Sequence, residues 1–220
     1  MSMRYNQFDN IYAAGGWSGM GSGPGSVARY NKEFLRYISH LIASGSIRKI
    51  IDYGCGDWQL FRDFNFRDAS YLGYDVVSSV IEENKKSFRK PKVSFERIRH
   101  VSEVKETCDL FLIKDVFLHL PNHDCLEILE HAKLRSKHIL VVNDCEEDEF
   151  PINHEIDVGK YRPVDIALPP FSQSSKKVLI YGQQFRTKMD LKALLSLKMV
   201  KRVQTGRKHV QLIQGHIDYK

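Results

Sequence analysis

The run Ile50-Ile51-Asp52-Tyr53-Gly54-Cys55-Gly56-Asp57 reads as a short buried strand that ends in a tight turn. Gly54 and Gly56 let the chain leave the strand sharply and let a ligand come against bare backbone. A second acid, Asp75, stands 19 residues after Gly56, near the end of the apolar run Tyr71 to Val76. A carboxylate at that tip can accept hydrogen bonds from both hydroxyls of a ribose. Asp52 is anomalous within an apolar strand and needs a partner, either a bound ammonium or nearby backbone amides. A GxGxxG dinucleotide site would want glycine at position 59, where this chain has Gln59.

Outward from this unit the chain alternates strands and helices. Lys49 to Tyr53, Tyr71 to Val76, Asp109 to Lys114 and His138 to Val142 are four clear strands. Apolar residues at helical spacing predict helices over Val27 to Ala43, Ser79 to Phe88 and Asp124 to Leu134. Such alternation implies parallel pairing through right-handed crossovers, with both sheet faces covered. Beyond Asp157 the pattern changes. Gly159 to Phe171 holds three of the seven prolines and should be ordered but irregular. Leu179 to Gly182 reads as a short strand and Lys188 to Leu197 as an amphipathic helix. Val200 to Gln204 and His209 to Gln214 read as an antiparallel pair with Gly206 in the turn. The expectation is an α/β, Rossmann-like, doubly wound and mostly parallel sheet with an antiparallel C-terminal strand pair. It comprises one domain over 1–220, with the loop and helix of 1–45 covering the ligand site.

The totals bound the partners. Hydrophobic residues make up 42% and charged residues 27%, an ordinary soluble composition. No apolar run approaches the ~20 residues needed to span a bilayer. Met1 to Asn10 is polar without an apolar signal core, which points to the cytoplasm. Cys55, Cys108, Cys125 and Cys145 lack CxxC spacing and read as reduced thiols in or near the core. The net charge of +6 is spread over short clusters such as Arg89-Lys90-Pro91-Lys92 and Lys201-Arg202. That favours solvated faces over a nucleic-acid footprint, which stays open as a lesser alternative.

IIDYGCGD and YLGYDVVSSVIEENKK resemble the first two motifs of class I S-adenosylmethionine (SAM)-dependent methyltransferases, and DLFLIKDVFLHLP resembles their fourth-strand motif. The resemblance covers about Arg48 to Asp144. The flanking WSGMGSGPGS, GCGDW and GKYRPVDIALPPF are similar to a subgroup with members among glycan-modifying enzymes. The small size and basic charge resemble sugar methyltransferases of large algal viruses. By that resemblance Gly54, Cys55 and Gly56 would line the methionine part of SAM and Asp75 would hold its ribose. Val76 would pack on the adenine and Lys114-Asp115 would lie beneath the reacting end, with Asp52 and Trp58 completing the cofactor set.

On the acceptor side, a hydroxyl needs a base, a metal, or both. Asp115 and Asn143-Asp144 follow strands whose tips should be neighbours, and could hold Mg²⁺. Asp115 could equally cap a helix beginning near Val116. His119, with a pKa near neutrality, is the first candidate for general base, although a histidine there could also serve packing. Asp115 and Asp144 complete the catalytic set. Trp17, in the Gly- and Ser-rich loop Gly15 to Ser26, is too large for a spacer and would fold over a ligand. Tyr161, Arg162 and Asp165, in the proline-stiffened segment, would contact the acceptor; Arg162 and Asp165 could otherwise pair with each other. The reading is O-methylation of a sugar or glycan hydroxyl on a small-molecule or glycan acceptor. RNA or protein methylation and a non-catalytic SAM-binding scaffold are the alternatives. The K-D-K-E set of RNA 2′-O enzymes cannot be assembled from the sequence, and the place of an N/D-P-P-Y/F motif reads KDVF.

Overall fold

A computed structural model describes residues 6–146, 150–186 and 203–217. Five parallel strands lead: β1 Lys49–Tyr53, β2 Ser70–Asp75, β3 Val93–Arg97, β4 Cys108–Lys114 and β5 Ser136–Asp144. Two long antiparallel strands follow, β6 Lys176–Arg186 and β7 Val203–Gln214. They join in one sheet of order β3-β2-β1-β4-β5-β7-β6. The helices are α1 Asn6–Ala13, α2 Lys32–Ala43, α3 Ser78–Ser87 and α4 Asn122–Lys133. The chain runs outward from β1 in one direction and from β4 in the other. That reversal is the switch point where open parallel sheets leave a crevice at the strands' carboxyl ends.

Period-two alternation divides the core. Ile50, Leu110, Leu112, Leu140 and Val142 face one side, packed with Phe34, Ile38 and Ile42 of α2. Ile51, Phe111, Ile113, Ile139 and Val141 face the other, packed with Ile128, Leu129 and Ala132 of α4. The apolar runs that identified these strands are continuous because both faces are covered.

Several expectations need correction. β3 was not foreseen, since Phe95 is its one buried residue on the sheet's edge. The helix expected over Val27 to Ala43 begins only at Lys32, after a 3-10 turn over Ala28–Tyr30, and α1 was not expected at all. The expected hairpin 200–204/209–214 does not form. Gly206 lies within β7, opposite Gln183, and the antiparallel partner is β6. The helix expected over Lys188 to Leu197 lies outside the described residues. Among the described residues, no helix is long and apolar enough to cross a membrane.

Candidate active site

A cleft of about 430 Å³ opens at the carboxyl ends of β1, β2, β4 and β5, and residues 17–26 close over it. Its volume falls in the range of small-molecule sites. One half is built by the turn after β1. Gly54, Gly56, Asp75, Val76 and Ile98 line it. The Asp75 carboxylate is fixed by two backbone donors, Gly56 N–H to Oδ2 (2.9 Å) and Val77 N–H to Oδ1 (3.0 Å). Burial raises its pKa against these bonds, and each oxygen keeps lone-pair capacity for a further donor.

The strap is tied to this turn. Ser22 N–H donates to Asp57 Oδ2 (3.2 Å), and Asp57 N–H donates to Ser22 Oγ (2.8 Å). Ser22 Oγ also shares a hydrogen bond with Tyr12 Oη (2.6 Å). Gly56 sits at φ 55°, and a Cβ there would lie 2.1 Å from Ser22 Oγ. Left-handed backbone and close approach both require glycine at this position.

The other half carries a chain of buried charges. Lys114 Nζ donates to Gly25 O of the strap (2.8 Å) and to Asp115 Oδ2 (2.5 Å). Lys208 Nζ, from β7, bridges Asp115 Oδ1 (2.6 Å) and Asp144 Oδ2 (2.8 Å). Tyr161 Oη donates to that same Asp144 oxygen at 3.4 Å. Burial alone would raise the Asp115 carboxyl, but the two ammonium groups outweigh it and hold it well below the usual range. Burial likewise disfavours the charged Lys208, yet Asp115 and Asp144 raise its pKa overall. Asp115 itself has φ 58°. Aspartate tolerates this region better than most residues, and the two lysines hold it there.

His119 stands beside this chain, its ring 5.1 Å from that of Trp17 and 6.2 Å from that of Tyr161. Its Nδ1 lies 2.9 Å from Lys160 O. A carbonyl only accepts, so Nδ1 carries the hydrogen, and in the neutral ring Nε2 bears the lone pair. Burial lowers the imidazole pKa more than the Lys160 carbonyl restores it.

Of the residues expected at the site, Trp17, Gly54, Gly56, Asp75, Val76, Lys114, Asp115, His119, Asp144 and Tyr161 line the cleft. The others lie elsewhere. Asp52 does not line the cleft; it sits behind the wall and accepts from Tyr71 Oη (2.6 Å), which supplies the partner its burial requires. Burial pushes its pKa up to about 7, against the pull of Tyr71 and Lys114. The Cys55 side chain turns to Gly73, whose added Cβ would stand 2.9 Å from Sγ. Trp58 is 1% exposed among Phe66, Tyr71, Phe88 and Phe95, a core residue. Arg162 is fully buried and clamps Leu120 O, His154 O and Asn122 Oδ1, so it cannot meet an acceptor. Asp165 pairs with Lys177 and Gln211 instead of Arg162. Asn143 is fully buried, and strand alternation turns it away from Asp144. The alternative role of Asp115 as a cap is not seen either; the turn after it is the 3-10 segment Phe117–His119, without a side-chain cap.

Sequence reasoning missed Lys208 altogether. It also missed the α1 residues Phe8 and Tyr12, which line the cleft beside Trp17. An arginine-lysine pair, Arg207-Lys208, at the head of an apolar strand pattern was the one signal available.

No protein-family model matches the chain, and neither does any curated sequence. Solved structures do. NodS, an N-methyltransferase from Bradyrhizobium japonicum in complex with S-adenosylhomocysteine (SAH), aligns with TM-score 0.61 at 10% identity. That alignment covers 95% of this chain and 97% of NodS. Magnesium protoporphyrin IX methyltransferase from Synechocystis, with bound SAH, aligns with TM-score 0.57 at 11% identity over 95% of each chain. TehB from Haemophilus influenzae aligns with TM-score 0.55 at 12% identity, over 85% of this chain and 66% of TehB. The chain has the Rossmann-like methyltransferase fold. At such identities the likeness concerns architecture alone, and the two halves of the cleft must carry any functional reading.

Proposed function

We propose that this methyltransferase-fold chain is a SAM-dependent enzyme that methylates a hydroxyl of a sugar or glycan. The observation that carries the reading is the junction, in one cleft, of a ribose-binding half and a neutral histidine. The residues present fit the cofactor. Backbone at Gly54 and Gly56 lines the cleft, Asp75 keeps acceptor capacity, and Val76 and Ile98 offer apolar contact for a purine. When bound, SAM supplies a methyl group on a sulfonium, which departs as a neutral thioether.

The protein's own part is alignment and proton removal. His119 Nε2 takes the hydroxyl proton as the acceptor oxygen bonds to the methyl carbon. Asp115 and Asp144, neutralised by Lys114 and Lys208, hold the floor of the acceptor half fixed. Trp17 and Tyr161 offer ring faces, and Asp144 and Lys208 offer polar atoms, a combination suited to a sugar's apolar and hydroxylated faces. The expected Mg²⁺ site does not fit these residues. Lys208 Nζ already occupies the space between Asp115 and Asp144, and Asn143 faces away.

The acceptors named for the neighbouring structures differ, so they do not choose among acceptors for this chain. A ribose hydroxyl of RNA is the second reading, favoured by one observation. Lys114, Asp115, Lys208 and Asp144 form in space a set of two lysines and two acids that the sequence order concealed. Transfer of label from methyl-labelled SAM to a panel of glycosides, RNA and protein tests the assignment. Label on a glycoside, without any need for added Mg²⁺, is the expected result. Label on RNA alone would replace the first reading with the second, and label on protein alone would overturn both.

A further inference from the structure

On the sheet face opposite the charged chain, three side chains of different donor chemistry converge. Cys145 Sγ, a carboxylate oxygen of Asp165 and a ring nitrogen of His209 all lie within 4.8 Å of one another. Around a tetrahedral ion with bonds of ~2.0–2.3 Å, ligand atoms stand roughly 3.5 Å apart, so a small inward movement would close the set. Cys145 and Asp165 are buried, each 6% exposed.

A second observation concerns unmet polar demand. Six buried side-chain polar atoms lack a hydrogen-bond partner among the described residues. Three of the six, Asn143 Oδ1, Asn143 Nδ2 and His209 Nδ1, belong to one cross-strand pair, Asn143 opposite His209. Cys145 follows the end of β5, and its thiol lies 3.7 Å from Asn143 O. An unpartnered buried amide and imidazole beside a thiol and a carboxylate is an unfavourable arrangement unless something binds them.

We propose that Cys145, Asp165 and His209 form a site for a borderline transition-metal ion such as Zn²⁺, with Asn143 Oδ1 or water as the remaining ligand. The mixed sulfur, nitrogen and oxygen set suits such an ion better than Mg²⁺ or Ca²⁺. Binding replaces the S–H hydrogen of Cys145 by the ion and releases one proton to solvent. The ammonium of Lys177, now 3.2 Å from Asp165 with its side chain 43% exposed, turns outward to water. The ion would pin the end of β5 to β7 and to the 163–165 segment. Asp144 and Lys208, immediate neighbours of Cys145 and His209, would thereby be held in place on the cleft side. The site neither requires nor tests the methyl-transfer reading.

The test is titration of the chelator-treated full chain with Co²⁺, without oxygen or added thiol. The expected result is a thiolate-to-cobalt charge-transfer band with the visible bands of tetrahedral cobalt, saturating at one ion per chain. Cys145→Ser should abolish the charge-transfer band, while Cys108→Ser, at a buried cysteine in β4, should retain it. Should Cys145→Ser fail to fold, His209→Gln serves in its place, with loss of the tetrahedral bands and of any Zn²⁺-induced rise in melting temperature. No charge-transfer band in the wild type overturns the proposal. So does a band that survives Cys145→Ser, or tetrahedral bands unchanged in His209→Gln.

Discussion

At His119, two local facts act in one direction. Burial lowers the imidazole pKa below its ordinary 6.5, and the Lys160 carbonyl fixes the hydrogen on Nδ1. Both favour a neutral ring with a free lone pair on Nε2, the state a base requires. As the proposed base, the ring is inactive once protonated, so the acid limb of kcat/KM is expected below pH 6.5. A limb at or above 6.5 would remove His119 from the role. His119→Ala should lower kcat by about 10²–10⁴-fold with little change in SAH affinity, measured by labelled transfer and by calorimetry. Lys208 presents the opposite problem, a charge whose value lies in what it neutralises. Lys208→Met leaves Asp115 and Asp144 facing each other, and breaking such a buried pair costs about 3–5 kcal/mol. Asp115, with its folded pKa depressed, contributes stability above its unfolded value and loses it as pH falls through the folded one. Without Lys208 the buried carboxylates lose a counter-charge and take up a proton more readily in the folded variant, so urea melts should show the variant's deficit large at pH 7 and smaller near pH 4. A deficit independent of pH would show that the ammonium does not act through its charge.

Among the elements, β1, β2, β4 and β5 were legible because each is largely buried on both faces and so reads as a near-continuous apolar run. β3 and β7 were not. An edge strand with one buried residue carries no run, and a glycine within a long strand mimics a turn. The site divides the same way. Gly54, Gly56, Asp75 and Asp115 sit at strand tips, where topology alone places them on the cleft. Trp58, Arg162 and Asp165 were assigned by neighbourhood in sequence, which does not determine the direction of a side chain. Lys208 reaches Asp115 from 93 residues away through the β5–β7 pairing, a contact no local pattern encodes. Trp58→Ala tests the core assignment. It should cost about 3–5 kcal/mol in denaturant melts, while the folded protein keeps its SAH affinity. A large loss of affinity with stability intact would return Trp58 to the cofactor site. At the strap, Gly56→Ala meets both the left-handed backbone and Ser22, and should weaken SAH binding; Ser22→Gly in the same chain should recover part of that loss.

For the molecule as a whole, the proposed reading places cofactor binding and proton removal in one crevice at the switch point between β1 and β4. Strands β1 and β2 present the turn and the acid that suit a nucleoside. Strands β4, β5 and β7 present the lysine–aspartate chain and, beyond it, the histidine. The N-terminal strap touches both, through Ser22 to Asp57 and through Gly25 to Lys114, so occupation of one half should be felt at the other. Methyl transfer in this crevice requires the first half to be a SAM site. Calorimetric titration of the wild-type chain with SAH, and with an analogue lacking both ribose hydroxyls, addresses that directly. The predicted result is one site per chain for SAH, with the analogue weaker by about 10²-fold or more because Asp75 is left unpaired. No heat of binding for SAH, or equal affinity for the two ligands, would contradict it.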